Sequence, residues 1–382
     1  MKYCRTCLQT DTRPDTKFTK DQTCSACIYF DQSKNINWEE RYKILEDIFY
    51  KYPKKKNQIF DCIIGVSGGK DSTRQALWIR DKLKKKPLLV SLSYPPDQIT
   101  ERGAKNISNL INLGFDVIVS SVSPVLWKKL MKVSFLRYAN WAKPTELALF
   151  SAVPQLAIKY NINLIIWGEN PALQFGGAKV ANKRGYDGNK SIDSNTLAGG
   201  KINWISKVVK KKKYLIPFIY PSLKEFKKNN IQIIYLGWFL NNWSNLNNSS
   251  FSIAHGLNIR TNIKNDSAEG TGDIHLSNSL DEEWVSLNQL LKYYKYGFGR
   301  ATDYISEDIR SGIISRNEAI KIVENYDHKY DNSYIKSFCS YIEISEKKFW
   351  NVVKKNLNKN LFKINKKGAI IKRFEVGKDY LE

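Results

Sequence analysis

From residue 59 onward the chain alternates between short apolar runs and longer segments whose apolar residues recur at helical spacing. The apolar runs are IFDCIIGV (59–66), PLLVSLSY (87–94), FDVIVSSV (115–122), NLIIWGEN (163–170) and, as a further candidate, IQIIYLGWF (231–239). The helical segments between them include 73–86, 101–113 and 145–160. Continuous aliphatic strands that alternate with helices predict an α/β fold, in which helices cover both faces of a parallel sheet.

The pattern differs on the two sides of this region. Residues 37–52 have apolar positions at helical spacing and predict one helix before the sheet. The polar stretch NNWSNLNNSS (241–250) predicts a loop or boundary after it, and the remainder reads as mainly helical, with a capping box at Ser315 and Glu318. We therefore expect three regions: an N-terminal ribbon and helix over 1–58, the α/β domain over 59–240 and a helical region over 241–382.

Paired cysteines near the N-terminus predict a metal site. They are spaced C-x2-C-x16-C-x2-C and are Cys4, Cys7, Cys24 and Cys27. Each C-x-x-C lets a tight turn direct two sulfurs at one tetrahedral ion, so the pattern predicts a structural zinc ribbon over residues 1–35. Two disulfides, which a reducing cytosol disfavours, or a redox pair are the alternatives. Cys62 and Cys339 are expected to be core residues.

The formal net charge is +24, and 48 of the basic residues are lysines against 13 arginines. An abundance of Asn and Ile accompanies the lysines, which favours biased genomic composition over selection for RNA, so nucleic acid is not an expected partner. Lysine runs at 54–56, 84–86 and 210–213 are either a binding stripe or ordinary solvated faces. The apolar stretch 214–220 is too short to span a membrane, and the N-terminus lacks a signal-peptide pattern. We expect a cytoplasmic protein.

A glycine turn follows the first apolar run of the predicted sheet. Its residues are Ser67, Gly68, Gly69, Lys70, Asp71 and Ser72. A strand, a glycine turn and a helix N-terminus together make an anion site, to which the serine hydroxyls and the lysine add donors and charge. Ligands of parallel sheets bind at the carboxyl ends of the strands, so Ser91–Tyr94 and Gly168–Asn170 are expected beside this turn. A turn that binds nothing is the alternative.

The turn is not a Walker A loop, because only three residues separate Gly65 and Gly69, and Asp71 follows Lys70 where Ser or Thr is required. A G-x-G-x-x-G dinucleotide loop is absent as well. The sequence SGGKDS instead resembles the PP-loop, S-G-G-x-D-S, of the ATP pyrophosphatase superfamily. That resemblance implies an enzyme that cleaves ATP between the α and β phosphates and activates a substrate oxygen as its adenylate.

Further segments resemble the N-acetyl sugar amidotransferases, a PP-loop family that makes acetamidino sugars of the pseudaminic-acid type for lipopolysaccharide and flagellin glycans. They are the paired C-x-x-C, INWEERYKIL (36–45), LIIWGENPALQFGG (164–177) and YYKYGFGRATDYISEDIRSGIISRNEAIKIVENYD (293–327). The resemblance implies that the turn residues bind ATP and that Gly168 and Glu169 belong to the family's strand-end motif. Ser91, at the end of the second strand, is a further expected ATP contact.

The chemistry implied is amidine formation. AMP transfer to the acetamido oxygen gives an O-adenyl imidate, which ammonia converts to an amidine while AMP departs. Asp71 is the candidate magnesium ligand, or only a helix cap, and Lys70 is expected to add a catalytic charge. Glu169 either positions the amide or an ammonium ion, or is a surface carboxylate. Arg300 is a candidate clamp for a sugar carboxylate with Asp303 beside it, but the two residues equally fit a structural ion pair.

The ammonia donor is expected to be a separate glutaminase, because Cys4 lies within a C-x-x-C and Cys339 lacks a glycine-flanked elbow. The expected substrate is an acetamido sugar acid, either nucleotide-linked or a free nonulosonic acid. A tRNA-thiolating PP-loop enzyme is the main rival, although residues 63–338 contain no cysteine for a persulfide relay. A non-enzymatic zinc-ribbon adaptor is a second rival, and the intact glycine turn argues against it.

Overall fold

The computed structural model describes residues 1–14, 16–170, 185–191 and 202–380. Its N-terminal part consists of two isolated antiparallel bridges, Tyr3 to Thr10 and Phe18 to Cys24, followed by helix α1 (Ser25–Ser33) and helix α2 (Trp38–Lys51). The side chain of Asn37 accepts a hydrogen bond from the backbone N–H of Glu40, which fixes the start of α2. The helix predicted over 37–52 is confirmed.

The central sheet confirms the predicted α/β fold. Its strands are β1 (Cys62–Gly65), β2 (Pro87–Ser93), β3 (Val117–Ser121), β4 (Leu164–Trp167) and β5 (Gln232–Tyr235). All neighbours are parallel, and the order across the sheet is β3-β2-β1-β4-β5. Every predicted apolar run therefore supplies one strand. The order reverses between β1 and β4, which is the position where open α/β sheets bind ligands.

Helices cover both faces of this sheet. They are α3 (Lys70–Asp81), α4 (Glu101–Asn112), α5 (Pro124–Tyr138) and α6 (Lys143–Lys159). Successive strand residues point to opposite faces, so Ile64 packs in the cluster that contains α3 and Ile63 in the cluster that contains α6. α3 begins and ends earlier than its apolar pattern predicts. Gly69 caps its start, and Lys84, at a φ of 55°, turns the chain toward β2.

The C-terminal part is mainly helical, as predicted. After short helices at Asn203–Ser206 and Leu223–Lys228, its helices are Asn245–Ala254, Ala268–Thr271, Val285–Tyr296, Arg300–Arg310, Arg316–Tyr326, Asn332–Tyr341 and Glu346–Lys355, and a hairpin of Phe362–Ile364 and Ile370–Lys372 follows. The capping box at Ser315 and Glu318 is confirmed. No helix of the described ranges is long and apolar enough to cross a lipid bilayer.

The stretch 241–250, predicted to be a loop or boundary, is a loop only over 241–244. A helix runs over Asn245–Ala254, and Ser244 caps it by accepting a hydrogen bond from the backbone N–H of Asn247. Its inward face is polar: Asn248 and Ser252 are buried against α3 and bond to residues of that helix. A helix that buries polar side chains lacks the apolar stripe by which a sequence reveals a helix.

The N-terminal ribbon and the C-terminal helices share one apolar cluster. Tyr3 and Leu8 pack with Ile305 and Val323. The two chain ends also meet directly, because the N-terminal amino group donates to the backbone oxygen of Tyr380 at 2.6 Å. The boundaries at residues 58 and 240 remain a prediction.

Candidate active site

A cavity of about 420 Å³ lies at the carboxyl ends of β1, β2 and β4. Each of these strands contributes the residues at its end: Gly65–Ser67 from β1, Ser91–Tyr94 from β2 and Trp167–Glu169 from β4. Residues of α3, α4 and α6, together with Ile99, Val119 and the carboxylate residue Asp281, complete the lining. The three segments that the sequence analysis expected to meet at this edge of the sheet do meet.

The glycine turn forms one wall of the cavity. Gly68 has a φ of 78°, and a Cβ atom there would lie 3.0 Å from the backbone carbon and Cβ of Asn106, so any other residue would be strained at this position. The backbone N–H of Gly69 donates to Ser67 Oγ at 3.3 Å, and Ser72 Oγ donates to the backbone oxygen of Gly69 at 3.1 Å. Ser67, Asp71 and Ser72 line the cavity, and α3 begins at its edge.

Asp71 is held by two neighbours. Lys70 Nζ lies 2.8 Å from Asp71 Oδ2, and Asn248 Nδ2 donates to Asp71 Oδ1 at 2.5 Å. Burial opposes ionisation, but the Lys70 ammonium and the Asn248 amide outweigh it and hold the pKa of Asp71 below its usual value. Asp71 is therefore an ionised carboxylate facing the cavity.

Lys70 was expected to add a catalytic charge at the glycine turn, but the structure places it away from the cavity lining. The residue is buried, is not among the described residues that line the cavity, and its ammonium lies 5.6 Å from the ring centroid of Tyr304. Burial lowers its pKa, but Asp71 and Tyr304 more than offset that effect, so its pKa is raised and it stays charged. The geometry fits a lysine that holds Asp71 better than one that reaches a ligand.

The helix Asn245–Ala254 fixes the start of α3. Arg74 donates both to the backbone oxygen of Asn242, at 2.9 Å, and to Asn248 Oδ1. Ser252 Oγ donates to the backbone oxygen of Lys70 at 2.6 Å. Sequence reasoning missed these contacts, and Ser244, as a helix cap, was the only local signal for them.

Glu169 lies at the end of β4 and is exposed to the cavity. Partial desolvation by the surrounding protein, together with the negative charge of Asp71, raises the pKa of Glu169 to about 7. Gly168, directly before Glu169, packs closely against α3, because a Cβ atom at Gly168 would lie 2.7 Å from Gln75 Oε1. The Gln75 side chain is itself held in place, since its Nε2 donates to the backbone oxygen of Ile166 at 2.7 Å. The strand end and α3 are thus in close contact.

An aromatic ring that the sequence analysis did not single out forms another part of the lining. Trp167 packs over Gly65, where a Cβ atom would lie only 2.4 Å from Trp167 Cζ3. Ser91, which was expected here, is buried and lines the cavity. The cavity therefore combines an aromatic surface, hydroxyl donors and three carboxylates, those of Asp71, Glu169 and Asp281.

The C-terminal region reaches the cavity through Asp281, to which Tyr94 OH donates at 3.1 Å. Arg300 and Asp303 are not among the described residues lining it, and they pair with different partners. Arg300 Nε lies 3.6 Å from Asp273 Oδ2, and this buried nitrogen has no hydrogen-bond partner among the described residues.

The Asp303 carboxylate forms one ion pair with Lys292, at 2.5 Å, and a second one with Arg13. Burial opposes its ionisation, but these two cations lower the pKa of Asp303 to about 2. Its carboxylate is thus engaged with the N-terminal ribbon and the helix Val285–Tyr296 and not with Arg300, so each of the two residues has a structural ion pair, but the pair predicted between them does not form.

The four N-terminal cysteines form one buried cluster. All four Sγ atoms lie within 4.8 Å of one another, with Cys4 to Cys27 at 3.8 Å and Cys7 to Cys24 at 3.7 Å. Tetrahedral zinc with Zn–S bonds of about 2.3 Å requires S–S separations of roughly 3.8 Å, so the donor set fits zinc. Arg310 Nη1 lies 3.8 Å from Cys7 Sγ and can offset thiolate charge.

Comparison with known proteins gives one family match. Residues 277–376 match the family model described as LPS biosynthesis protein WbpG-like, C-terminal domain. This segment contains Asp281, Arg300 and Asp303 and leaves the sheet and the glycine turn outside it. No curated protein matches the chain.

Among solved structures, the chain is similar to NMN synthetase from Francisella tularensis. The sequences are 16% identical, the match covers 56% of this chain and 97% of that one, and the TM-score is 0.28. A TM-score this low supports no statement about the reaction of this chain. Of the strand-end segment 164–177, residues 171–177 lie outside the described residues.

Proposed function

We propose that the protein is an ATP-dependent amidotransferase that converts the acetamido group of a sugar acid to an acetamidino group during surface polysaccharide biosynthesis. The observation that carries the proposal is the shared cavity. It brings the turn SGGKDS and Glu169 of the α/β region together with Asp281, which belongs to the segment matched by the LPS biosynthesis model. This supports an enzyme in which the sheet handles the nucleotide and the C-terminal region completes the substrate site.

In this proposal the turn holds the departing pyrophosphate. The Ser67 hydroxyl and the Gly68 backbone N–H are donors at the start of α3, and the Gly69 N–H and the Ser72 hydroxyl would exchange their bonds within the turn for bonds to phosphate. Ser91 and Gly168 line the rest of the nucleotide site. Magnesium, when bound, would offset the charge of the phosphates. Asp71 fits as its ligand, directly or through water, because each carboxylate oxygen accepts one hydrogen bond from Lys70 or Asn248 and keeps further lone pairs free.

The reaction proceeds by two displacements. The acetamido oxygen attacks the α-phosphorus of ATP and pyrophosphate leaves, which gives an O-adenyl imidate. Ammonia then attacks the imidate carbon, AMP leaves, and the product is an amidine. Glu169 takes a proton from the entering ammonium, since a carboxylate with a pKa of about 7 is suited to proton exchange near neutral pH.

The remaining substrate and partner assignments belong to the same proposal. Arg300, whose Nε has no hydrogen-bond partner among the described residues but lies in an ion pair with Asp273 at 3.6 Å, is the candidate for a sugar carboxylate, and the ammonia comes from a separate glutaminase. The thiolation alternative loses support, because Cys62 and Cys339, the described cysteines outside the N-terminal cluster, are both buried and do not line the cavity.

Product analysis tests the proposal. The purified protein is incubated with ATP, magnesium, ammonium and diacetamido sugar acids, and the expected products are AMP, pyrophosphate and a sugar lighter by the difference between O and NH. Asp71→Asn should abolish turnover, whereas Asp81→Asn, at the exposed far end of α3, should not. Formation of ADP and phosphate would overturn the proposal, and AMP formed only with tRNA would support the thiolation alternative. Glutamine in place of ammonium should give no product without a second protein.

A further inference from the structure

An exposed basic segment lies between the short helix Asn203–Ser206 and β5. Residues 207–228 contain eight lysines and a single acidic residue, Glu225, whose carboxylate is occupied in a capping box with Ser222. The lysines are Lys207, Lys210, Lys211, Lys212, Lys213, Lys224, Lys227 and Lys228, and all of them are exposed. We call these 22 residues the basic apolar surface, because apolar side chains are exposed among the lysines.

The exposed apolar residues are concentrated here. Tyr214, Ile216, Ile219 and Leu223 are 47%, 57%, 41% and 62% exposed, and no other window of ten described residues holds more than two large exposed hydrophobic side chains. Scattered exposed apolar residues need no explanation, but a cluster of this kind marks an interaction surface.

The local fold presents these side chains outward. Lys212–Phe218 is a 3-10 helix, in which residues three apart lie on one face. Leu215 and Phe218 are buried in the core, whereas Ile216 and Ile219 share the opposite, exposed face. Gln155 of α6 holds this segment in place, because its Nε2 donates to the backbone oxygens of Ile216 and Ile219 at 2.8 and 2.6 Å.

The side-chain chemistry fits a bilayer better than a nucleic acid. The segment contains no arginine and one exposed aromatic residue, whereas nucleic-acid surfaces stack bases on aromatic rings and arginines. Aliphatic side chains enter the boundary between headgroups and acyl chains, and flanking lysines reach lipid phosphates with their ammonium groups. Clusters of four to eight basic residues on such a surface are typical of anionic lipid recognition.

We propose that the basic apolar surface docks the protein on a bilayer that contains anionic phospholipid. The proposal rests on the surface alone and does not depend on the proposed reaction. It also gives the cavity a defined position: α6 lines the cavity with Leu149, Ala152 and Val153 and holds the docking segment through Gln155. Helix α6 therefore connects the docking segment to the cavity.

Cosedimentation of the full chain with vesicles tests the proposal. At near-physiological salt the protein should bind vesicles of phosphatidylglycerol and phosphatidylethanolamine and should not bind phosphatidylcholine vesicles. The triple variant Lys211→Glu, Lys212→Glu, Lys213→Glu should bind at least about tenfold more weakly. The triple variant Lys336→Glu, Lys347→Glu, Lys348→Glu is the control, because it changes the net charge equally at exposed lysines elsewhere.

A second variant separates apolar insertion from charge. Ile216→Ser with Ile219→Ser leaves the net charge unchanged, should keep the melting temperature because both side chains are exposed, and should weaken vesicle binding several-fold. The proposal is overturned if the wild type does not bind anionic vesicles, if the two triple variants lose binding equally, or if the isoleucine variant binds as the wild type does. Retention of tRNA that only the 211–213 variant loses, without vesicle binding, would assign the surface to nucleic acid instead.

Discussion

Asp71 takes its place in the cavity from side chains on two helices. Lys70 precedes it in α3, and Asn248 comes from a helix more than 170 residues further along the chain. The same amide group accepts a hydrogen bond from Arg74, so Asn248 joins a carboxylate and a guanidinium that both belong to α3. Such a network of buried polar groups favours one arrangement of the side chains, because removing one partner leaves the others without a hydrogen bond.

Asn248→Ala should therefore impair the nucleotide site more than the fold. Hydrogen bonds to charged groups contribute about 1.5–3 kcal/mol, so we expect kcat/KM for ATP to fall roughly 10- to 100-fold and the magnesium requirement to rise. Steady-state kinetics across a magnesium titration measures both. Ser250→Ala, on the exposed face of the same helix, is the control and should behave as the wild type. Equal kinetics of the two variants would show that Asn248 does not position Asp71.

The ionisation of Glu169 predicts a pH dependence with a defined sign. Desolvation in the cavity and the charge of Asp71 raise its pKa from 4.5 to about 7, so the folded protein holds this proton more tightly than the unfolded chain does. The stability of the fold should therefore decline as pH rises from about 4.5 to about 7 and then level off. If the carboxylate accepts a proton during turnover, kcat should rise with pH, reach half of its plateau near pH 7 and level off at higher pH.

Glu169→Gln tests both statements at once. The variant should match the wild type in melting temperature near pH 4 and exceed it at pH 8, because it lacks the carboxylate that is costly to ionise in the cavity. The residual kcat of the variant should not increase as the pH approaches 7. A wild-type profile whose rising limb remains in the variant would assign that limb to another group.

At the scale of elements, α4 and the segment before helix 285–296 are in backbone contact. A Cβ atom on Gly103 would lie 2.5 Å from the backbone oxygen of Asp281, and backbone cannot move aside as a flexible side chain does. Gly103→Ala should hence lower the free energy of unfolding by about 1–3 kcal/mol, although the same change in an isolated helix is stabilising. It should also weaken substrate binding, because it displaces Asp281 from the cavity.

Chemical denaturation and substrate KM are the measurements for this prediction. Ser108→Ala, on an exposed turn of α4, is the matched control, since it improves helix propensity without meeting another segment. A Gly103→Ala variant more stable than the wild type would mean that the segment around Asp281 is free to move.

Elements also show how far sequence reasoning reaches. The strands, the turn at 67–72 and the strand ends at Ser91 and Gly168 were predictable, because aliphatic runs and glycine turns are local signals. Helix 245–254 was not, because its buried face is polar and its hydrogen-bond partners lie on α3 and on the distant Ser277. The part played by Asp281 was not predictable either, because it depends on the contact of that segment with Gly103 and Tyr94, and no local pattern encodes a contact across such a distance in sequence.

At the scale of the whole molecule, the cysteine cluster connects distant parts of the chain. Arg310, the last residue of helix 300–310, contacts Cys7 of the cluster. At the other end of the same helix, Arg300 lies over the ring of Tyr304. Asp379 accepts hydrogen bonds from the backbone N–H of Tyr3 and from Gln22, which attaches the C-terminal tail to the ribbon. Metal bound by the cysteines would thus stabilise more than the ribbon alone.

We therefore expect Cys24→Ser to lose bound zinc and to lower the melting temperature of the whole chain by about 10 °C in a single transition, because the ribbon shares its core with the C-terminal helices. Metal analysis and calorimetry measure the two effects. Cys339→Ala, which removes a buried thiol outside the cluster, should keep one zinc per chain and shift the melting temperature far less. Separate transitions, with only the smaller one sensitive to zinc, would mean that the ribbon unfolds on its own and that the shared apolar cluster does not couple it to the rest.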